Sequence, residues 1–170
     1  MKYYFKENFR LLYADGTLYD EQENPVYQYQ NTTLLFPEIE LYRDGELVGH
    51  IKKNFTLFLR EYDIYLGDEL ADTLGQDFTF FHPELTLERL GWTIKGDFFA
   101  LDYEIRNAEG TLLCEVNQEL FRLTRRYYVN IYDEENEELL VLLVLAINQF
   151  DKDLSSSQSS AHTSSHSNGR

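Results

Sequence analysis

The chain has 170 residues, and its 30 acidic against 15 basic side chains give a formal net charge of −15. One domain is the natural expectation at this length, and a surface of this charge repels nucleic-acid phosphates, so we expect no nucleic-acid partner. The hydrophobic content of 43% and the single cysteine exclude a disordered chain, an internal disulfide and a cysteine-rich zinc site.

The N-terminal residues 1–7 contain no apolar stretch of signal-peptide length and no small-residue cleavage site. We therefore expect no secretory signal and a cytoplasmic location.

A unit of about 23 residues recurs from Thr17 onward. Each unit is about a hairpin long, and six units in 150 residues predict on the order of a dozen short strands. A solenoid or a propeller is the competing interpretation, but six hairpins are too few for a propeller of four-stranded blades. The anchor residues Leu18, Leu41 and Ile64 lie 23 residues apart, a weaker copy begins at Leu87, and later copies begin at Ile105 and Ile131.

Apolar and polar residues alternate within a unit, which indicates strands with one buried face. The turn dipeptides Asp44-Gly45 and Gly67-Asp68 separate these strands. So many antiparallel strands must curl or close, because a flat sheet would leave its edges exposed. The residues predicted to point inward are Ile39, Leu41, Leu47, Gly49 and Ile51 in one unit, and Tyr62, Ile64, Leu66, Leu70 and Leu74 in the next.

The run Leu139–Phe150 is apolar on all sides and falls short of the ~20 residues that cross a bilayer. Five carboxylates within Asp133–Glu138 precede it, as suits the positive end of a helix dipole. We predict a buried core helix over about 137–150, with a final strand as the alternative. The simplest assembly is a mainly β fold, an antiparallel barrel closed around this helix. The acidic segment itself is interpreted as a solvated turn.

The C-terminal residues 151–170 are rich in serine and carry His162 and His166. Too little apolar area is available here to offset the entropy of ordering, which predicts a disordered tail after a domain of residues 1–150. The two histidines could bind a metal weakly, but a solvated spacer is the favoured interpretation.

The stretch Leu90–Ile105, with its Trp92, resembles the central motif of the LURP-one-related proteins, and more closely that of their bacterial YxjI-like branch in the tubby C-terminal-like group. The resemblance covers essentially residues 1–150. It implies a closed barrel of about twelve strands around a buried C-terminal helix. Tubby relatives bind phosphoinositides, and phospholipid scramblases are also related. The resemblance therefore implies a lipid as one candidate partner, but it transfers no functional residue.

Candidate catalytic residues are few. His50 lies at a polar position of its strand, His82 precedes a proline, and all the serines lie in the tail. Cys114 lies in a strand-like segment, where a buried thiol is favoured over a nucleophile. Trp92 could line a ligand pocket, but a core position is favoured. We therefore expect no catalytic residue, no cofactor and no metal site.

The basic residues Lys52, Lys53, Arg125 and Arg126 are the candidate lipid-headgroup site. The competing interpretation is that they are edge-strand charges that block aggregation. We expect a non-enzymatic binding or scaffold domain whose protein or lipid partner is unknown. We also expect a monomer without a transmembrane segment. A peripheral phospholipid-binding module is the alternative, and an enzyme is the third hypothesis.

Overall fold

The computed structural model describes residues 1–6, 15–32, 38–55, 60–75, 84–97, 100–121 and 124–161. Within these ranges, only the backbone is described for residues 6, 55, 60, 118–121, 124–126 and 151–161. His82, His162 and His166, and the predicted tail after residue 161, lie outside the described residues.

The described chain forms strands throughout and ends in one helix. The elements are β1 (Lys2–Lys6), β2 (Gly16–Asp20), β3 (Pro25–Asn31), β4 (Glu38–Arg43), β5 (Glu46–Phe55), β6 (Arg60–Leu66), β7 (Glu69–Leu74), β8 (Glu84–Leu87), β9 (Trp92–Asp97), β10 (Asp102–Arg106), β11 (Leu112–Phe121), β12 (Thr124–Ile131) and α1 (Glu137–Ala161).

The twelve strands form one antiparallel sheet in the order β7-β6-β5-β4-β3-β2-β1-β12-β11-β10-β9-β8. Each strand pairs with its neighbours in the sequence, except that β7 and β8 do not pair with each other. Strand β1 also pairs with β12, where Tyr4 lies opposite Tyr128. The sheet curls until β7 and β8 lie side by side, so the barrel is nearly closed. The predicted mainly β fold, a twelve-stranded antiparallel barrel with one C-terminal helix, is confirmed.

The connections alternate between the two ends of the barrel because every strand is antiparallel to the next. We call the end with the short turns at 21–24, 44–45, 67–68, 88–91 and 107–111 the turn end, and the opposite end the loop end. Asp44 and Gly45 both have positive φ, 53° and 82°, which is the backbone of a tight hairpin turn. Since β12 finishes at the turn end, α1 enters the barrel there.

Helix α1 fills the barrel. Its side chains from Leu140 to Ile147 are 0% exposed and Phe150 is 1% exposed, so the predicted core helix is confirmed and the alternative of a final strand is wrong. Gly49 on β5 shows how closely the helix approaches the wall, because a Cβ there would lie 2.8 Å from Leu142 Cδ1 and 2.2 Å from the Tyr65 carbonyl oxygen.

The helix is longer than predicted. Its backbone stays helical to Ala161, so the boundary expected at 150 is wrong for the helix itself. Once a helix has been nucleated by packing, each further residue adds a hydrogen bond without a new nucleation cost. The polar segment after Phe150 therefore continues the helix although it lacks an apolar face.

The predicted alternation holds in the strand centres and fails at the turn end. Ile39, Leu41 and Ile51 are buried as expected, whereas Leu47 is 49% exposed and Leu66 is 39% exposed. The registers of β4–β5 and β6–β7 each shift near the turn, between Leu41 and Tyr42 and between Ile64 and Tyr65. Such a bulge re-aims the side chains that follow it.

Asp72 lies where β7 approaches β8, and its carboxylate spans the junction. It is 2% exposed, and it accepts hydrogen bonds from the backbone N–H groups of Thr73 at 2.7 Å, and of Arg89 and Leu90 at 3.0 Å each. The described parts of β7 and β8 share no ladder of paired residues. A side chain therefore connects the two strands where backbone pairing does not.

We expect Asp72→Ala to lower the free energy of unfolding by about 2–3 kcal/mol, because three backbone donors lose a charged acceptor. Urea denaturation measures this loss, and hydrogen exchange should show faster exchange in β7 and β8 than in β1 and β12. Glu69→Ala, an exposed site on the same strand, is the matched control and should change stability by about 0.5 kcal/mol at most. Equal losses of stability in both variants would contradict the stabilising role of the Asp72 carboxylate.

Candidate functional site

A buried polar cluster lies at the turn end, where α1 begins. Glu137, in the first turn of the helix, is 5% exposed. Its Oε1 accepts hydrogen bonds from the hydroxyl of Tyr3 at 2.8 Å and from the hydroxyl of Tyr27, and Arg43 Nη1 lies 3.3 Å away. Arg43 also lies 3.6 Å from Glu138. Three strands, β1, β3 and β4, thus bind the first turn of the helix.

The electrostatics of this cluster keep the two tyrosines protonated. Burial, followed by the hydrogen bond to Glu137, raises the pKa of Tyr3 and of Tyr27 far above the ordinary tyrosine value. Two hydroxyls and a guanidinium converge on one oxygen of this carboxylate, which also lies at the positive end of the helix, and both features stabilise its negative charge. The arrangement therefore orients α1 and offers no free group for proton transfer.

This cluster corrects the interpretation of the acidic segment as a solvated turn. Glu134 and Glu135 are exposed, but Glu137 is buried. Two signals together narrow the choice of the buried acid. Tyr3 and Tyr27 lie on inward-facing strand positions, so their hydroxyls need a buried partner. The first turn of the helix supplies two carboxylates, Glu137 and Glu138, and the structure shows that Glu137 is the buried one.

Among the candidate catalytic residues that the structure describes, Cys114 and His50 lie on different strands and show no reactive arrangement. Cys114 is fully buried, and burial raises the pKa of its thiol to about 12, so the thiolate is not populated near neutral pH. His50 points outward as predicted, where its ring stacks on Tyr65 at 4.5 Å and its Nε2 lies 3.8 Å from Glu38. Trp92 is 8% exposed and belongs to the core, as predicted.

The predicted basic residues fall into two pairs on different strands. Lys52 and Lys53 lie on β5, with alternate side chains on opposite faces of the sheet. Lys52 is exposed and lies between Glu38 and Asp63 on the neighbouring strands, whereas Lys53 is half-buried with its Nζ 5.6 Å from the Tyr62 ring. The β5 pair therefore presents one outward charge.

Arg125 and Arg126 lie at the start of β12, where Arg126 is opposite Lys6 of β1. Four strands separate β12 from β5, so the two basic pairs do not form one compact patch. Both pairs nevertheless lie towards the loop end. Their interpretation as edge-strand charges is wrong, because β5 and β12 are each paired on both sides.

Two negative findings apply to the described ranges of the chain. No group of three or more His, Cys, Asp or Glu residues there could hold a metal ion. No helix in those ranges combines the length and the apolar character needed to span a membrane.

Comparison with known proteins assigns the chain to a family. The family model described as LURP-one-related matches residues 1–148. The chain belongs to the LURP-one-related family. This LURP-one-related chain is also similar in fold to the X-ray structure of a protein from Arabidopsis thaliana, with a TM-score of 0.51 and 9% sequence identity, over 86% of this chain and 90% of that chain. At that identity the likeness concerns the fold alone. Comparison with curated proteins gives no match.

Proposed function

We propose that this LURP-one-related protein is a non-catalytic binding or scaffold domain of the cytoplasm that meets its partner on the outside of the barrel. The supporting observation is that α1 fills the interior, with side chains from Leu140 to Ile147 fully buried. Barrels that carry a small ligand keep a cavity where this chain places its own helix. Recognition is therefore assigned to the outer strands and the turns.

The chemistry of the described residues agrees with this proposal. The single cysteine, Cys114, is unpaired and buried, as suits a reducing compartment such as the cytoplasm. His50 contacts Tyr65 and Glu38, and one oxygen of Glu137 is contacted by three donors. A nucleophile with a neighbouring general base would be the sign of an enzyme, and these residues do not supply that pair.

The direct test is affinity capture from the native cell with the full chain as bait, followed by reconstitution with the purified partner. We expect a partner that binds the folded protein at 1:1 stoichiometry in isothermal titration calorimetry. A matched bait that carries Leu143→Asp, which should not fold, controls for non-specific adhesion. Turnover of a small molecule by the purified protein would contradict the non-catalytic assignment.

One observation favours the alternative, a peripheral phospholipid-binding module. Lys52, Lys53, Arg125 and Arg126 all lie towards the loop end, while the turns at 44–45 and 67–68 and the segment 133–138 place acidic residues at the other end. A barrel standing on its loop end would bring basic groups to an anionic bilayer and hold its acidic end away from it. Each such residue contributes about 1 kcal/mol near an anionic surface.

Flotation with vesicles of phosphatidylserine and phosphatidylcholine, against phosphatidylcholine alone, decides between the two functions. Flotation with the anionic vesicles only, lost when Lys52, Lys53, Arg125 and Arg126 are replaced together by Gln, would support the lipid module. The control replaces Lys2, Arg89 and Arg106, which lie at the turn end, with Gln. Absence of flotation at low salt would leave the protein-binding function as the one supported.

A further inference from the structure

We propose that the tips of hairpins β4–β5 and β6–β7 form a docking surface for a basic, amphipathic segment of a partner protein. This inference rests on the proposed binding function and names the chemistry of the partner. The surface, here called the acidic hairpin surface, consists of two leucines and four carboxylates, which are Leu47, Leu66, Asp44, Glu46, Asp68 and Glu69.

The two hairpin tips are neighbours in space because β5 pairs with β6. In that ladder Gly49 lies opposite Leu66, and beyond it the Gly67 N–H donates to the Val48 carbonyl oxygen at 2.8 Å. The turns at 44–45 and 67–68 therefore project side by side from the turn end. The six residues of the surface belong to one contiguous region rather than to separate loops.

The two leucines are exposed, although the alternation along their strands predicts buried positions. Leu47 is 49% exposed and Leu66 is 39% exposed, while Leu41 and Ile64 on the same hairpins are fully buried. Every large hydrophobic side chain that is exposed in the described ranges, Met1, Leu47, Leu66 and Tyr132, lies at the turn end. Two exposed leucines on adjoining hairpin tips, rimmed by carboxylates, form the kind of apolar patch that is typical of a protein-binding site.

The carboxylates around the leucines have no side-chain partner among the described residues. Asp44, Glu46, Asp68 and Glu69 are all exposed. Other surface acids are paired, as Glu84 is with Lys95 at 2.9 Å and Glu104 with Arg106 at 2.7 Å.

The cation nearest in the ladder is engaged elsewhere. Arg43 is the cross-strand neighbour of Glu46, but its guanidinium lies against Glu137 and Glu138 of α1. The acidic hairpin surface therefore keeps four uncompensated negative charges.

These features select one class of occupant. A second copy of the chain would present the same sign of charge, and a nucleic acid or an anionic membrane would be repelled. The described residues form no group that could hold a metal ion. A polypeptide segment that alternates Lys or Arg with apolar residues would instead cover the leucines and place its charges beside the carboxylates.

The probe is a fluorescein-labelled twelve-residue peptide of alternating Lys and Leu, titrated into the full chain at 0.15 M salt and followed by fluorescence anisotropy. Peptides of alternating Glu and Leu, and of alternating Lys and Ser, serve as probe controls. We expect saturable binding of the Lys-Leu peptide alone, because both the charges and the apolar side chains are needed.

Two variants and one matched control locate the binding. The charge variant combines Asp44→Asn, Glu46→Gln, Asp68→Asn and Glu69→Gln, and the apolar variant combines Leu47→Ser with Leu66→Ser. The control removes four exposed carboxylates elsewhere at the turn end, with Glu21→Gln, Glu88→Gln, Glu134→Gln and Glu135→Gln. All sites are exposed, and thermal melting checks that each variant folds.

We expect the charge variant and the apolar variant each to weaken peptide binding about tenfold, and the control about twofold at most. Equal weakening by the charge variant and the control would mean that only net charge attracts the peptide, and would overturn the proposal, as would an unaffected apolar variant. If a partner captured from cells binds all variants equally, the binding function stands and the acidic hairpin surface is wrong.

Discussion

Replacing Leu143 with Asp is expected to leave the protein unfolded. Leu143 is 0% exposed at the centre of the buried part of α1, with the barrel wall around it. A carboxylate at this position has no described cation beside it, and burying an unpaired charge costs several kcal/mol, a large part of the about 5–15 kcal/mol that stabilises a domain. Far-UV circular dichroism and urea denaturation of the purified variant measure the outcome.

Two controls separate the burial of charge from other effects at this site. Leu143→Met conserves volume and should cost less than about 1.5 kcal/mol. Leu47→Asp introduces the same carboxylate at an exposed leucine and should leave the melting temperature nearly unchanged. A soluble Leu143→Asp protein with wild-type melting would show that α1 does not occupy the barrel interior.

The second large effect is expected at Glu137. Glu137→Ala leaves the hydroxyls of Tyr3 and Tyr27 without their acceptor and Arg43 without its closest carboxylate. We expect a loss of about 3 kcal/mol in the free energy of unfolding, because buried donors lose a charged partner. Glu138→Ala, at a half-exposed carboxylate of the same turn, is the matched control and should cost less than about 1 kcal/mol. Similar losses in both variants would contradict the role of Glu137.

The same cluster predicts how stability changes at alkaline pH. Because the pKa of Tyr3 and of Tyr27 is raised in the folded protein, the folded state retains protons that the unfolded state releases near the ordinary value of 10.0. Stability from this source is fully present below pH 10 and is lost as the pH rises further. Urea denaturation between pH 8 and 11 should show this decrease, and a smaller decrease in Tyr27→Phe. If the free energy of unfolding fell with pH as steeply in Tyr27→Phe as in the wild type, Tyr27 would not contribute to the decrease.

A barrel that encloses its own helix constrains how the protein can work. The interior is packed with side chains from α1 and from every part of the sheet, so binding has to use exposed residues. In the part of the chain that the structure describes, the exposed large hydrophobic side chains lie at the turn end, and the candidate basic pairs lie towards the loop end. The two proposed modes of binding therefore use different ends of one barrel and can be tested independently.

The backbone architecture was accessible from the sequence because it follows from local patterns. The period-two alternation around Ile39, Leu41 and Ile51 predicts strands with one buried face, and the Asp44-Gly45 turn predicts the hairpin between β4 and β5. The apolar run from Leu139 onward predicts a segment enclosed on all sides. Patterns of this kind depend on residues that are close in sequence, so they can be recognised without coordinates.

Tertiary structure alone decided which polar residues are buried and which apolar residues are exposed. Glu137 resembles its acidic neighbours in the sequence and becomes a buried anion only because β1, β3 and β4 bring donors to it. Leu47 follows the alternation but is turned outward by a register shift between strands.

The partners that decide these positions lie far away along the chain. Tyr3 and Glu137 are 134 residues apart, and Asp72 binds a turn that follows the next strand. The sequence by itself therefore determined the strands, the helix and the barrel that contains it. The polar cluster, the junction at Asp72 and the acidic hairpin surface required the folded structure, because each depends on contacts between elements that local sequence patterns do not specify.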